Sequence, residues 1–168
     1  VYLGEVGKVS STVLKQVEER LLKVMTDDAD QLVKRRALES LGYSSRPELA
    51  DLIEQAYEGD NEEWVVSALY AMGRSADDRW APLILERIND SNNEISREAA
   101  RAAGELELGD ALPALVDLLQ DDDSELRLAA AWSLSQIGGN GAAEALEELM
   151  ERTEDEDEID LIEIAIEN

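Results

Sequence analysis

The stretch ISREAARAAGE, residues 95–105, contains four alanines, two arginines and almost no large apolar side chain. A lone amphipathic helix covers its core with Leu, Ile or Val. A helix built on Ala99, Ala100, Ala102 and Ala103 and reaching Gly104 is instead pressed closely between neighbours on more than one side. The rest of the chain explains why. Val33, Trp64, Ile95 and Leu126 follow one another at a constant interval. Each opens a segment with the same internal spacing. Four positions on come Ala37, Ala68, Ala99 and Ala130. Eight positions on come Leu41, Met72, Ala103 and Leu134, followed by Gly42, Gly73, Gly104 and, breaking the run, Ser135. Pro82 and Pro113 hold the same interval, each in the opening turn of a helix, where a missing N–H costs little.

Each period reads as helix, acidic turn, helix and short connector. First helices are predicted near 13–25, 48–58, 80–89, 111–120 and 142–152, and second helices near 30–42, 61–74, 93–106 and 124–137. The turns TDDAD, EGDNEE, NDSNNE and QDDDSE supply Asp, Asn or Ser where the second helix needs an N-cap. Nothing alternates with the period of a strand, so the fold class is all-α. Residues 1–168 are expected to form one array. LGEVG at 3–7 matches the tail of a second helix, and IDLIEIAIEN at the other end opens another. The expectation is an array with partial repeats at both ends, cut from a longer one.

Composition narrows the function classes. Among 168 residues there is no Cys and no His, which removes disulfides, thiolate or imidazole metal sites and His-based acid–base pairs. No apolar run approaches the roughly 18 residues of a membrane span. Forty acidic residues against fifteen basic give a net charge of −25, which opposes nucleic acid and anionic lipid alike. The clusters DDAD, DDDSE and EDEDEID lack calcium-loop spacing and read as solvated turns. IGGNG lacks the Lys and Ser/Thr of a phosphate loop and reads as a helix stop. No cofactor and no metal is expected.

The pattern ISREAARAAGELELGDALPALVDLL, continued by ELRLAAAWSLSQIGGNGAAEALEELM, resembles HEAT repeats, and more narrowly those of the phycobilisome lyase type. The resemblance implies a right-handed α-solenoid of stacked antiparallel helix pairs, armadillo-like, with second helices on the concave face and first helices on the convex face. It implies no single activity.

One column breaks the pattern of repetition. Six positions into the second helices come Glu39, Tyr70, Arg101 and Trp132, which share a spacing but no residue type. Structural columns repeat because packing repeats, so a column that varies reads as a binding surface. Arg35, Arg36, Arg74 and Arg97 lie nearby. The windows 33–43, 64–74, 95–105 and 126–136 hold seven basic and three acidic residues, a net of +4, leaving −29 on the other 124 positions. Such a face attracts anionic or mixed partners, and Tyr, Trp and Arg are the side chains most enriched among binding hot spots. The function expected is a non-catalytic cytoplasmic scaffold or adaptor that binds a protein or peptide through this face. The alternative is a phycobilin lyase-like subunit holding a tetrapyrrole or its acceptor protein, with groove arginines on the propionates. Neither the partner nor the oligomeric state follows from the residues.

Overall fold

The computed structural model describes residues 11–27, 30–153, 159, 162 and 163. The LGEVG segment lies outside them, and of IDLIEIAIEN only helical Ile159, Ile162 and Glu163 lie inside. The described residues form helices and no strands. The chain divides into two compact units, Val1–Ala76 and Asp77–Asn168.

Unit 1 contains α1 (Ser11–Asp27), α2 (Gln31–Leu41), α3 (Glu48–Glu58) and α4 (Glu62–Arg74). α1 pairs with α2, α3 pairs with α4, and the second helices α2 and α4 pack on each other. Unit 2 repeats the scheme with α5 (Ala81–Arg87), α6 (Asn93–Glu105), α7 (Leu112–Leu118), α8 (Ser124–Ile137) and α9 (Asn140–Arg152). Here α6 packs on α8, and α9 closes against α7 and α8. α5 and α7 each start one residue later than their sequence windows, after a 3-10 turn (Asp78–Trp80 and Gly109–Ala111) ahead of the proline, and end two residues earlier.

The starts of the four described second helices are set by the same device. Asp30, Asn61, Asn92 and Asp123, spaced by the repeat period, cap α2, α4, α6 and α8. In each case the side-chain oxygen accepts the backbone N–H groups two and three residues on. A cap of this kind contributes about 1 kcal/mol and fixes where helical geometry begins. The acidic turns are thus N-caps, and Asp121 in turn accepts the Asp123 amide at 2.8 Å.

The alanines and glycines of the second helices settle the opening question. Ala68, Ala99, Ala103 and Ala130 have no exposed surface. A Cβ placed on Gly104 would lie 2.7 Å from the Cα of Ser133 and 2.9 Å from its Oγ. In unit 1 a Cβ on Gly42 would lie 3.0 Å from the Cα and carbonyl oxygen of Ala71. Glycine nine positions into one second helix therefore receives the backbone seven positions into the next. Ser133 completes the contact by donating to the Ala100 carbonyl at 2.8 Å. Gly42 has a helical backbone, φ −49°, and Gly104 sits inside α6, so close approach rather than a turn selects glycine there. Gly138 and Gly139 serve the opposite need, with φ of 69° and 86° where α8 stops.

A second constraint anchors α1. Glu18 is buried on α1 and receives the Nε–H of Arg46 at 3.1 Å, while the same guanidinium reaches Glu48 at 3.2 Å and Glu19 at 3.7 Å. Arg46 sits in the connector between α2 and α3, so this network ties the first hairpin to the second.

Gly104→Leu is expected to cost about 2–3 kcal/mol by overpacking the α6–α8 contact, lowering the melting temperature by roughly 5–10 °C. Gly109→Ala, where a Cβ meets nothing within 4 Å, is expected to leave stability within about 0.5 kcal/mol of the parent. Circular dichroism melts of the two variants check both outcomes, and equal melting temperatures would refute the close-packing account.

Candidate functional site

The eight residues singled out by the varying column and its neighbours fall into two groups once their contacts are known. In unit 1, Glu39 is 9% exposed. Its Oε1 accepts the Ser67 hydroxyl at 2.7 Å and its Oε2 accepts Arg36 at 2.6 Å. The Arg36 guanidinium is otherwise exposed, and its bond to Glu39 raises its pKa above the ordinary arginine value. Glu39 is thus a buried hydrogen-bonding joint between α2 and α4. Arg35 crosses the same helix pair, donating to the Glu63 carbonyl at 3.0 Å and lying 3.4 Å from its carboxylate. Tyr70 is half-buried, and the Arg74 guanidinium stands over its ring at 5.1 Å and over the Tyr43 ring at 5.9 Å. These are cation–π distances.

In unit 2, Arg97 repeats the role of Arg35. It is paired with Glu125 at the start of α8 and reaches Glu94 on its own helix at 4.0 Å. Arg35 and Arg97 each stand two places past a repeat start, and Glu63 and Glu125 each stand one place before the next. Both pairs cross between stacked second helices.

Arg101 and Trp132 differ from all of these. Arg101 is exposed and has no hydrogen bond, ion pair or ring contact among the described residues. Trp132 is 37% exposed, whereas Trp80 is buried. The two occupy equivalent places in successive repeats, on helices that pack together. Stacked helices lie about 8–10 Å apart, so the two positions belong to neighbouring helices.

Sequence reasoning missed Tyr43, Ser67, Glu63 and Glu125, the partners that engage Arg74, Glu39, Arg35 and Arg97. A signal existed for the last two. The column one residue before each repeat start reads Leu32, Glu63, Glu94 and Glu125, acidic at three of its four places. Pairing removes much of the positive character expected of this face: Arg35, Arg36 and Arg97 each have a carboxylate partner.

Among the described residues, no group of three or more acidic side chains is placed to hold a metal ion. No helix among them is long and apolar enough to cross a membrane.

Glu39→Ala is expected to cost about 1–2 kcal/mol, because the Ser67 hydroxyl loses its acceptor on the stacked helix and keeps only the Glu63 carbonyl of its own helix, at 3.1 Å. Arg101→Ala is expected to stay within about 0.5 kcal/mol. Urea denaturation midpoints separate the two; equal losses would mean that Arg101 is also a packing residue.

Comparison with known proteins agrees with the helix-pair architecture. A family model for HEAT repeats matches residues 18–99 and again 81–167. No curated protein matches. Among solved structures, a designed armadillo repeat protein in complex with the peptide (KR)4 is similar over 99% of this chain and 86% of its own, at 20% identity and a TM-score of 0.62. An engineered protein solved as a structural-genomics target is similar over 90% of this chain and 77% of its own, at 21% identity and a TM-score of 0.58. At these identities the likeness is one of fold. The spans matched by the family model cover most of the sequence, and the chain belongs to the HEAT repeat family.

Proposed function

We propose that this chain is a non-catalytic protein-binding scaffold, and that the exposed second-helix face of unit 2 holds a peptide segment of its partner. The observation that carries the reading is the pair Arg101 and Trp132: a charged and an aromatic side chain, exposed in register on stacked helices, with no structural task visible among the described residues. Leaving an indole more than a third exposed forgoes burial of apolar area worth about 25 cal/mol per Å². Arg101 supplies a planar fork of donors for a carboxylate or carbonyl, and Trp132 a flat apolar platform. Tyr70 with Arg74 offers a second aromatic and cationic surface on unit 1.

Support also comes from the kind of surface a HEAT array provides, since stacked repeats present extended faces to partners. The designed armadillo protein is in complex with a peptide, which supports a partner of that kind here. Among the described residues enzymatic chemistry has no constellation behind it: the sequence contains neither His nor Cys, and the buried carboxylates Glu18 and Glu39 of the described part are taken up by Arg46, Arg36 and Ser67.

The test is selection of binders from a randomised peptide library, followed by titration of the enriched peptides against the parent and Arg101→Glu/Trp132→Ala. The double variant is expected to keep its melting temperature and lose at least about tenfold in affinity, or about 1.4 kcal/mol. The (KR)4 peptide is the control for bulk charge: its attraction to a −25 chain weakens with salt and is expected to survive the double change. Selected peptides that bind the variant as tightly as the parent would remove the assignment.

A further inference from the structure

Arg101 has acids within helical reach and, among the described residues, pairs with none of them. Glu98 and Glu105 stand three and four places away on α6, the separations at which opposite charges meet along a helix. Arg101 nevertheless is exposed and has neither a hydrogen bond nor an ion pair there. Arg97, one turn back, shows the contrast: it is half-buried and held by Glu125 and Glu94. On the next second helix the places of Arg97 and Arg101 are taken by Leu128 and Trp132. Leu128 is half-buried and Trp132 is exposed. A cationic position on α6 thus has an apolar counterpart on α8.

A ligand that engages both Arg101 and Trp132 crosses from α6 to α8. The close approach of Gly104 to Ser133 sets these axes at the short end of the about 8–10 Å usual for packed helices. An extended segment advances about 3.3 Å per residue, so the crossing takes two or three residues. Bulk and local charge point to opposite ligands. The net charge of −25 draws basic segments from a distance, but that field is screened within about 10 Å at ordinary salt. At contact the guanidinium presents a planar fork of donors that matches a carboxylate.

Building on the reading of this face as a peptide-binding surface, we propose that the site selects an acidic side chain for Arg101 and a bulky apolar one for Trp132, two or three positions apart in an extended segment of the partner. The partner is therefore acidic where it is held, against the bulk charge of the chain.

The test is a charge swap on peptides that the parent protein selects from a randomised library with neutral flanks, in about 0.15 M salt. Asp or Glu is expected to be enriched two or three positions from Leu, Phe, Tyr or Trp. Changing that acid to Lys is expected to weaken binding to the parent at least about tenfold, and Arg101→Glu is expected to reverse the order of the two peptides. Arg101→Gln, which adds no further acid beside Glu98 and Glu105, is expected to lose the discrimination between them. Trp132→Ala is expected to bind the acidic peptide more weakly while still preferring it to the Lys form. Peptides that need Arg101 and Trp132 but carry no enriched acid would overturn the pairing and leave the binding face in place. So would a Lys change that weakens binding equally to the parent and to Arg101→Glu. Selected peptides indifferent to Arg101→Glu/Trp132→Ala would overturn the face and the pairing together.

Discussion

The structure depends on how closely the backbones of successive second helices approach. Within unit 1 the contact is Gly42 on Ala71, and within unit 2 it is Gly104 on Ser133. At this distance no side chain separates the helices, so neither can slide or tilt without a clash. The alanines follow from the same requirement: a helix with neighbours beside and behind it has room for methyl groups and little else. Apolar bulk is then supplied by the first helices, through Ile53, Ile84, Leu115 and Leu146, all essentially unexposed. Small residues set the distance between repeats, and large ones fill the space inside each repeat.

Polar interactions reinforce this spacing. Ser67 to Glu39 and Ser133 to the Ala100 carbonyl are buried hydrogen bonds between stacked second helices. Arg35 to Glu63 and Arg97 to Glu125 add ion pairs nearer the helix starts. Those glutamates are largely exposed, so each pair contributes no more than about 1 kcal/mol. Their effect is on register, since an arginine reaches the next glutamate only when the repeats are aligned. The buried Glu39 joint is the stronger element, because an unpaired carboxylate there would remain desolvated.

How much of this was legible in the sequence depends on the kind of contact. Period, helix limits and caps were readable because each repeats: Asp30, Asn61, Asn92 and Asp123 announce themselves by spacing alone. The meaning of Gly104 was readable too, because alanines surround it. The joint at Glu39 was not. It stands in a column whose members differ, and variation suggested a surface freed from packing. A column also varies when one member finds a private partner, here Ser67. That serine has no serine counterpart in the other repeats, where the equivalent places hold Arg36, Glu98 and Ala129. The partner of Arg97 was hidden for a related reason. Its glutamate lies on the next second helix, almost a full period away, and a side-chain pair across a stacking interface has no local signature. Arg101 and Trp132, the other two members of unit 2 that the column and its neighbours singled out, lack such partners among the described residues.

Charge gives the last constraint. A chain with 40 acids and 15 bases repels itself, yet many of the bases are bound within the fold. Arg46 serves three glutamates, Arg97 two, and Arg35 and Arg36 one each. Arg46, Arg97 and Arg35 sit at junctions between elements or repeats, and Arg36 holds the buried carboxylate of Glu39 that would otherwise rest on a serine alone. Arg101, by contrast, is held by nothing among the described residues. Arg101 lies in the same helix as Arg97, one turn away, and acids are abundant along the chain. That it is exposed, at the position equivalent to the exposed indole of Trp132 on the next second helix, is the physical reason for looking there for a partner, ahead of the acidic turns whose side chains already cap helices.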